Sequence, residues 1–330
     1  MVEVAAVPAV DSGGSAQHVL ALDIGGTKLA AGVVDTSGGV HSFLVASTLA
    51  QEGPESGLER LFKLGRKAVE ESGVAWSAIG AVGIGAGGPL DATRGVLVAP
   101  PHLPGWVDVP LTQRAEEALG LPAALENDAT AAAAGEHRFG AGAGTRHMVY
   151  LTISTGVGGG TVIDGRLYRG ASGNGGELGH VTVDCDGRPC RGCGRRGCLE
   201  AYVSGTSIAE RAREAGMDGA VAADVAEAAK AGDPIATAVW DETVDALACG
   251  LTSIVNLFEP ELVVLGGGVV SGTGEQLLGP VRARVLAESM PPAAAGVEIV
   301  AAALGRRVGV VGAAAIAIER FAAGELQTHG

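Results

Sequence analysis

The chain has 330 residues, 47% of them hydrophobic, and a formal net charge of −14. This charge disfavours general binding to nucleic acid or to an anionic membrane surface, and no apolar stretch approaches the length that crosses a bilayer. The 54 glycines follow no period, which excludes a collagen-like fibre. Residues 1–17 lack the basic start of a secretory signal, so they predict a disordered tail and a cytoplasmic protein.

The first half of the chain alternates between short apolar strands and amphipathic helices. Its first three strands, two of them separated by the turn at 36–39, predict an antiparallel β-meander. The segments that follow have apolar residues at helical spacing or in short buried runs. In chain order the predicted elements are strands 18–23, 29–35 and 40–47, helix 55–72, strand 79–85, helix 111–119, strand 123–126 and helix 128–138.

The second half repeats this order, beginning with another meander. Its predicted elements are strands 147–154, 158–164 and 166–169, helices 207–215, 221–230 and 234–258, strand 262–265, helix 275–288, strand 297–301 and a closing helix near 310–321. The repeat predicts an α/β protein with two similarly built lobes and a ligand cleft between them. Residues 18–138 are assigned to a small lobe, which helix 309–325 joins, and residues 139–308 to a large lobe.

Three glycine clusters follow predicted strands, where backbone without Cβ atoms can approach phosphate groups. The first also offers Asp23 as an oxygen ligand for Mg²⁺. Its spacing is not that of a Walker P-loop, and a hairpin turn would explain Gly25-Gly26 alone. Three clusters, two of them at equivalent places in the repeat, predict a nucleotide cleft. The candidate ATP contacts are Asp23, Gly25, Gly26, Thr27, Lys28, Thr155, Gly156, Gly266, Gly267 and Gly268.

Four of the five cysteines lie close together, which favours a metal site over disulfides in a chain without a secretion signal. Cys190, Cys193 and Cys198, with His180 upstream, supply the donors of a closed tetrahedral Zn²⁺ site, which would hold the loop 180–200. Cys185 is an alternative ligand to Cys190, and unrelated free thiols are the plain alternative. A nucleic-acid zinc knuckle is disfavoured because that motif needs histidine where Cys198 stands.

These motifs occur in the order seen in ROK sugar kinases, which the chain resembles from about residue 18 to near its C-terminus. The resemblance is carried by residues 23–28, Glu126-Asn127-Asp128, residues 176–180 and the cysteine cluster. It implies the actin-like, hexokinase or ribonuclease H-like ATPase fold, with two duplicated lobes around a hinged cleft. Within the family the chain is most similar to bacterial ATP-dependent glucokinases. The resemblance implies that the protein phosphorylates a hexose, most simply D-glucose, with ATP and Mg²⁺. It also implies a structural Zn²⁺ ion and assembly as a homodimer or a dimer of dimers.

The resemblance also implies roles for individual residues. Asp128 matches the catalytic base, which accepts the proton of the attacking sugar hydroxyl; capping of its helix is the plain alternative. A solvated helix start is the alternative for Glu200. The positions that match sugar-binding residues are Gly88, Asn127, Asp128, Glu177, His180 and Glu200. The implied zinc ligands are His180, Cys190, Cys193 and Cys198, although the family usually has one residue fewer between the first two cysteines.

Departures from the family pattern leave the hexose open. His102 replaces an asparagine, and Gly87 stands where proline is usual. If His102 reaches the sugar, the preference moves towards mannose, fructose or N-acetylmannosamine. Polyphosphate as the donor is disfavoured by the Gly-Gly-Thr-Lys loop. A sugar-sensing repressor is the non-enzyme alternative, but the 22 residues before Asp23 are too few for a winged-helix domain.

Overall fold

Thirteen strands and eleven α-helices lie within residues 17–322, the part of the chain that the computed structural model describes. The strands are β1 (His18–Ile24), β2 (Lys28–Asp35), β3 (Val40–Ser47), β4 (Ile79–Ala86), β5 (Leu90–Asp91), β6 (Val96–Leu97), β7 (Val109–Pro110), β8 (Ala123–Asn127), β9 (Met148–Ile153), β10 (Val157–Ile163), β11 (Arg166–Tyr168), β12 (Leu262–Gly266) and β13 (Glu298–Ala301). The helices are α1 (Gly53–Ser72), α2 (Leu111–Leu119), α3 (Asp128–Phe139), α4 (Glu200–Val203), α5 (Gly205–Glu214), α6 (Ala222–Lys230), α7 (Pro234–Phe258), α8 (Gly267–Thr273), α9 (Glu275–Glu288), α10 (Pro291–Gly296) and α11 (Val308–Ala322).

Two five-stranded sheets have the same strand order and the same mixture of pairings. In the first, β3, β2 and β1 pair antiparallel, and β1, β4 and β8 pair parallel. In the second, β11, β10 and β9 pair antiparallel, and β9, β12 and β13 pair parallel. The two meanders thus begin two copies of one topology, and the predicted duplication is confirmed.

The first sheet is covered on both faces because the side chains of β1 alternate between them. Leu20 and Leu22 are fully buried in the cluster that includes α1, and burying each leucine contributes about 2 kcal/mol. Val19 and Ala21 pack against α11 instead. A Cβ at Gly83 of β4 would collide with the backbone of α11. The closing helix therefore lies tightly on the first sheet, far away in the sequence.

Helix α3 lies between the two sheets. Its alanines at 132 and 133 pack with Tyr150 and Val264 of the second sheet. Ala131 and Ala134 on the same helix pack with α11 instead. The other face of the second sheet is buried against α5, α6, α7 and α9. Because α3 contacts both sheets, the division of the chain at residues 138 and 139 stays a prediction.

The parts of the fold that the sequence did not predict are short. They are the small sheet formed by β5, β6 and β7 and the helices α4, α8 and α10. The predicted tail lies outside the described residues except for Gln17, and so does the closing helix beyond residue 322. Within residues 17–322 no helix combines the length and the apolar character that a membrane span requires.

Candidate active site

The carboxyl ends of parallel strands gather the predicted motifs of the first lobe. Asp23 lies near the end of β1, Gly87-Gly88 follow β4, and Asn127-Asp128 join β8 to α3. A Cβ built on Gly88 would stand 3.7 Å from the Asn127 Nδ2 atom. The fold thus brings these predicted site residues to one edge of the first sheet.

Asn127 caps helix α3 and leaves Asp128 facing solvent. The Asn127 Oδ1 atom accepts hydrogen bonds from the N–H groups of Ala129 at 3.1 Å and Thr130 at 3.2 Å. One oxygen of Asp128 accepts from the N–H of Ala129 at 2.7 Å, and the residue is exposed. Because Asn127 already fills the N-cap position, the cap does not account for the carboxylate at 128.

Two carboxylates lie close together at this edge of the first sheet. Asp128 keeps contact with solvent, but the protein atoms crowded around it disfavour its charged form and raise its pKa, against the opposing effects of the Ala129 hydrogen bond and of His102. Burial raises the pKa of Asp23 to about 7, and the charge of Asp128 adds to the effect. A Cβ on Gly309, at the start of α11, would collide with the Asp23 carboxylate. The pair therefore favours a bound proton or a cation at neutral pH.

His102 occupies the space above two glycines at this edge. A Cβ on Gly26 would lie 2.9 Å from the Cβ of His102, and a Cβ on Gly87 would collide with the imidazole ring. The two departures from the family pattern, at positions 87 and 102, are therefore one structural change. In its present rotamer the imidazole occupies space that a side chain at position 87 would need.

The first glycine cluster forms the tight hairpin between β1 and β2. The Gly25 N–H donates to the Lys28 carbonyl at 2.9 Å, and the Thr48 hydroxyl donates to the Gly25 carbonyl at 2.6 Å. Thr27 and Lys28 are exposed beside this turn. This segment is thus an ordinary hairpin turn, and it also exposes the Thr27 hydroxyl and the Lys28 ammonium group.

The second glycine cluster lies beside Glu200. Thr155 is exposed in the hairpin between β9 and β10. The Val157 N–H donates to the Glu200 Oε2 atom at 2.9 Å, while the Glu200 Oε1 atom lies 3.3 Å from the Cys190 sulfur. A Cβ on Gly156 would come within 2.9 Å of the same carboxylate. Glu200 therefore fixes the hairpin to the cysteine loop, with lone pairs left for another donor.

A cavity of about 580 Å³ opens next to this hairpin. Of the predicted ATP contacts, Thr155 and Gly268 line it. Gly266 lies against Tyr150 and Gly267 against the backbone of Ile153, so these two glycines serve close packing around the start of α8. We refer to this space as the nucleotide cavity.

Sequence reasoning missed several residues that line the nucleotide cavity. Thr206, Glu210 and Arg213 come from α5, which the sequence predicted only as a helix over 207–215. Arg191 reaches the cavity from the cysteine loop and forms an ion pair with Glu210. Arg191 lies between the first two cysteines, where the family usually has one residue fewer. That longer spacing was the one signal that could have marked it.

The four predicted metal ligands converge. His180, Cys190, Cys193 and Cys198 each offer a ligand atom, and these atoms all lie within 4.8 Å of one another. The sulfurs of Cys193 and Cys198 are 3.5 Å apart, and the Cys190 sulfur is 3.7 Å from the Nδ1 of His180. Zinc with bonds of about 2.0–2.3 Å in a tetrahedron requires separations of this size, so the residues fit the ion.

The geometry favours one of the two candidate cysteines. Cys185 is exposed and stands outside the group of converging ligand atoms, whereas Cys190 is buried within it. The Nε2 atom of His180 lies 3.9 Å from a carboxylate oxygen of Glu177. With Nδ1 directed to the cysteines, the second ring nitrogen is left beside another predicted sugar-binding residue.

Comparison with known proteins gives consistent matches over nearly the whole chain. A glucokinase from Thermotoga maritima is 38% identical over 317 residues, which cover 92% of this chain and 98% of the relative. A ROK hexokinase structure from Thermus thermophilus superposes with a TM-score of 0.80 at 40% identity, over 92% of this chain and 99% of that one. A ROK glucokinase from Streptomyces griseus, solved with glucose and AMPPNP, gives a TM-score of 0.75 at 36% identity, over 90% and 98%.

These matches confirm the actin-like kinase fold and the predicted relationship to bacterial glucokinases. The protein-family model described as "ROK family" matches residues 19–320 of this chain. Since that match spans almost all of the described residues, this chain is a member of the ROK family.

Proposed function

We propose that this protein is an ATP-dependent hexose kinase that converts D-glucose to glucose 6-phosphate. The observation that carries the proposal is the position of Asp128: its helix is capped by another residue, and its carboxylate, with a raised pKa, faces the cleft beside Asp23. The relatives named above are glucokinases and a hexokinase, and one was solved with glucose and an ATP analogue.

Asp128 acts as the general base in this proposal. As the sugar 6-hydroxyl oxygen bonds to the γ-phosphorus, the bond from that phosphorus to the β–γ bridging oxygen breaks, and the hydroxyl proton passes to Asp128. A raised pKa makes the carboxylate a stronger base. The residues assigned to the sugar hydroxyls are Gly88, Asn127, Glu177, His180 and Glu200.

The nucleotide is assigned to the two glycine hairpins and the nucleotide cavity. Backbone and side chains at 25–28 and 155–156 would contact the phosphates, and the adenosine would lie in the nucleotide cavity beside Gly268. Asp23 fits Mg²⁺ because a carboxylate held near a second carboxylate favours a cation. When bound, Mg²⁺ supplies neutralisation of phosphate charge.

Zinc is assigned a structural role. His180, Cys190, Cys193 and Cys198 together complete a tetrahedral set and leave no position for substrate. The ion would hold the irregular loop that carries His180 towards the sugar. We further propose a homodimer, or a dimer of dimers, which light scattering after size exclusion would test.

The proposal is tested by following ADP release from Mg-ATP with zinc-loaded protein and a panel of glucose, mannose, fructose and N-acetylmannosamine. We expect strong release with glucose. No release with any sugar from folded protein would contradict the kinase assignment and favour a sugar sensor.

A second candidate substrate is another hexose, because His102 stands at the edge that carries Asp128. The same panel on His102→Asn tests it. Were the substitution to shift turnover towards glucose by several fold relative to N-acetylmannosamine, His102 would be a determinant of specificity. An unchanged ratio would remove His102 from the sugar site.

A further inference from the structure

A second cavity, of about 680 Å³, lies between the lobes and shares no lining residue with the nucleotide cavity. Its walls come from the edge strands of both sheets, β8 and β11, and from the helices α3 and α11 that lie between them. Its charged lining residues are Glu126, Arg138, Arg166, Arg169, Glu319 and Arg320. We refer to this space as the hinge cavity.

The hinge cavity is basic in an acidic protein. Four arginines and two glutamates give its lining a net charge of +2, whereas the whole chain carries −14. Across residues 17–322, no carboxylate lies within ion-pair distance of Arg138, Arg166 or Arg320. Most other arginines, Arg114, Arg146 and Arg284 among them, do pair with carboxylates. Of the nine arginines in residues 17–322 that have no carboxylate partner, three thus line this one cavity.

The guanidinium group of Arg169 is held in place at the wall of the hinge cavity by hydrogen bonds. Its Nε donates to the Glu126 carboxylate at 2.8 Å, and only 2% of the Glu126 side chain is exposed. The two terminal nitrogens of Arg169 donate to Glu319, at 3.2 and 3.3 Å. Glu319 lies at the surface, so its hold on Arg169 is screened by solvent. The guanidinium is therefore positioned by a buried partner, while its outer edge is open to exchange.

We propose that the hinge cavity binds a phosphate-bearing small molecule. A phosphate group takes the place of Glu319 on the outer edge of Arg169 and pairs with Arg166 and Arg320. Arginine is suited to this because its planar fork binds phosphate oxygens through two parallel hydrogen bonds. The cavity is large enough for a sugar phosphate or a free phosphate ion, and the negative charge of the surrounding chain disfavours a polymeric anion.

Such a ligand would connect the lobes close to the reaction. Arg166 and Arg169 belong to the second sheet and its edge, whereas Arg320 lies on the helix that covers the first sheet. Glu126 also accepts a hydrogen bond from the Asn127 N–H at 3.0 Å. An anion bound to Arg169 is thus linked through Glu126 to Asn127, the residue that precedes Asp128.

The test is calorimetric titration of the full, zinc-loaded chain, saturated with glucose and AMPPNP so that the cleft is filled. Inorganic phosphate and glucose 6-phosphate are titrated separately to distinguish the two sources of the group. We expect one anion per chain and at least about tenfold weaker binding in the double variant Arg166→Gln, Arg320→Gln, because each loses a charge-assisted hydrogen bond.

The matched control is Arg306→Gln, Arg307→Gln, which removes the same charge from two exposed arginines outside the cavity. It should bind like the unaltered protein. Absence of binding with the cleft filled, equal affinity in the Arg166, Arg320 variant, or an equal loss in the control would each overturn the proposal. Thermal unfolding checks that the variants fold, and ADP release on the same samples tests the kinase assignment separately.

Discussion

The two five-stranded sheets share a topology but carry different chemistry at their strand ends. In the first, β1 and β8 lead to the carboxylates Asp23 and Asp128. At the equivalent hairpin of the second, β9 leads to Ser154 and Thr155, which are neutral hydroxyls. The scaffold therefore fixes where groups meet, and the residue at each strand end decides whether that lobe supplies charge or neutral hydrogen bonds.

The lobes also differ in what supports their loops. In the first lobe the segment at Asp128 is held by helix α3 and its cap at Asn127. In the second, the irregular loop from His180 to Cys198 has few regular elements and instead brings four candidate metal ligands together. The comparison predicts chemical defects from substitutions in the first lobe and binding defects from substitutions in the second.

The largest effect should come from the first lobe. Asp128→Asn removes the proposed base but keeps the shape of the side chain, so kcat should fall by about 10²–10⁴ with glucose affinity retained. Coupled measurement of ADP release and calorimetric glucose binding would show both. Asp241→Asn, on the exposed surface of α7, is the control and should behave like the unaltered protein. Normal turnover in Asp128→Asn would refute the assigned role.

The next largest effect should come from the metal site of the second lobe. Cys198→Ser removes a buried ligand, and the KM for glucose should rise by about 10–100-fold because His180 loses its anchor. Cys185→Ser, an exposed cysteine outside the cluster, is the matched control. Zinc content and KM are measured on both. Equal zinc and equal KM in Cys198→Ser and the control would rule out the structural zinc site.

Asp23 should destabilise the fold at neutral pH when Mg²⁺ and nucleotide are absent. Its pKa is raised to about 7 from an ordinary value of 3.8, so the folded state favours the protonated form. Protonated Asp23 stabilises the folded state, and this contribution to the free energy of unfolding is fully present below about pH 4 and is lost as the pH rises through 7. Asp23→Asn should therefore be more stable than the unaltered protein by up to about 4 kcal/mol at pH 8, and by no more than about 1 kcal/mol at pH 4.5.

Urea unfolding at the two pH values measures this difference. Asp241→Asn again serves as the control, since it removes one exposed carboxylate. A gain of equal size at both pH values would show that the mutation acts through packing and not through ionisation.

The smallest effect should come from the hydroxyl-bearing residues that follow β9 in the second lobe. Thr155→Val keeps the size of a residue that lines the nucleotide cavity but removes its hydroxyl, so the KM for ATP should rise about tenfold. The KM for glucose should not change. A loss confined to kcat, with both KM values unaltered, would place Thr155 among the groups that act on the chemistry and would break the contrast between the lobes.

Much of this molecule was predictable because its elements are regular and its motifs are local. The predicted strands and helices are present within two residues of their expected ends, apart from the part of helix 309–325 that lies outside the described residues, and the fold brings Asp23, Asn127 and Asp128 together. The choice of Cys190 over Cys185 needed the structure, since both spacings are possible in an irregular loop. The packing of His102 over Gly87 and the reach of Arg191 to Glu210 depend on contacts between distant segments, which no periodic pattern records.

The position of α11 has a consequence for how the chain is made. This helix covers the face of the first sheet that carries Val19 and Ala21, yet it is the last regular element of the described residues. During synthesis, β1 and β4 leave the ribosome long before α11 exists. One apolar face of the first sheet therefore stays uncovered until translation has passed residue 322, and the half of the protein that is made first is completed last.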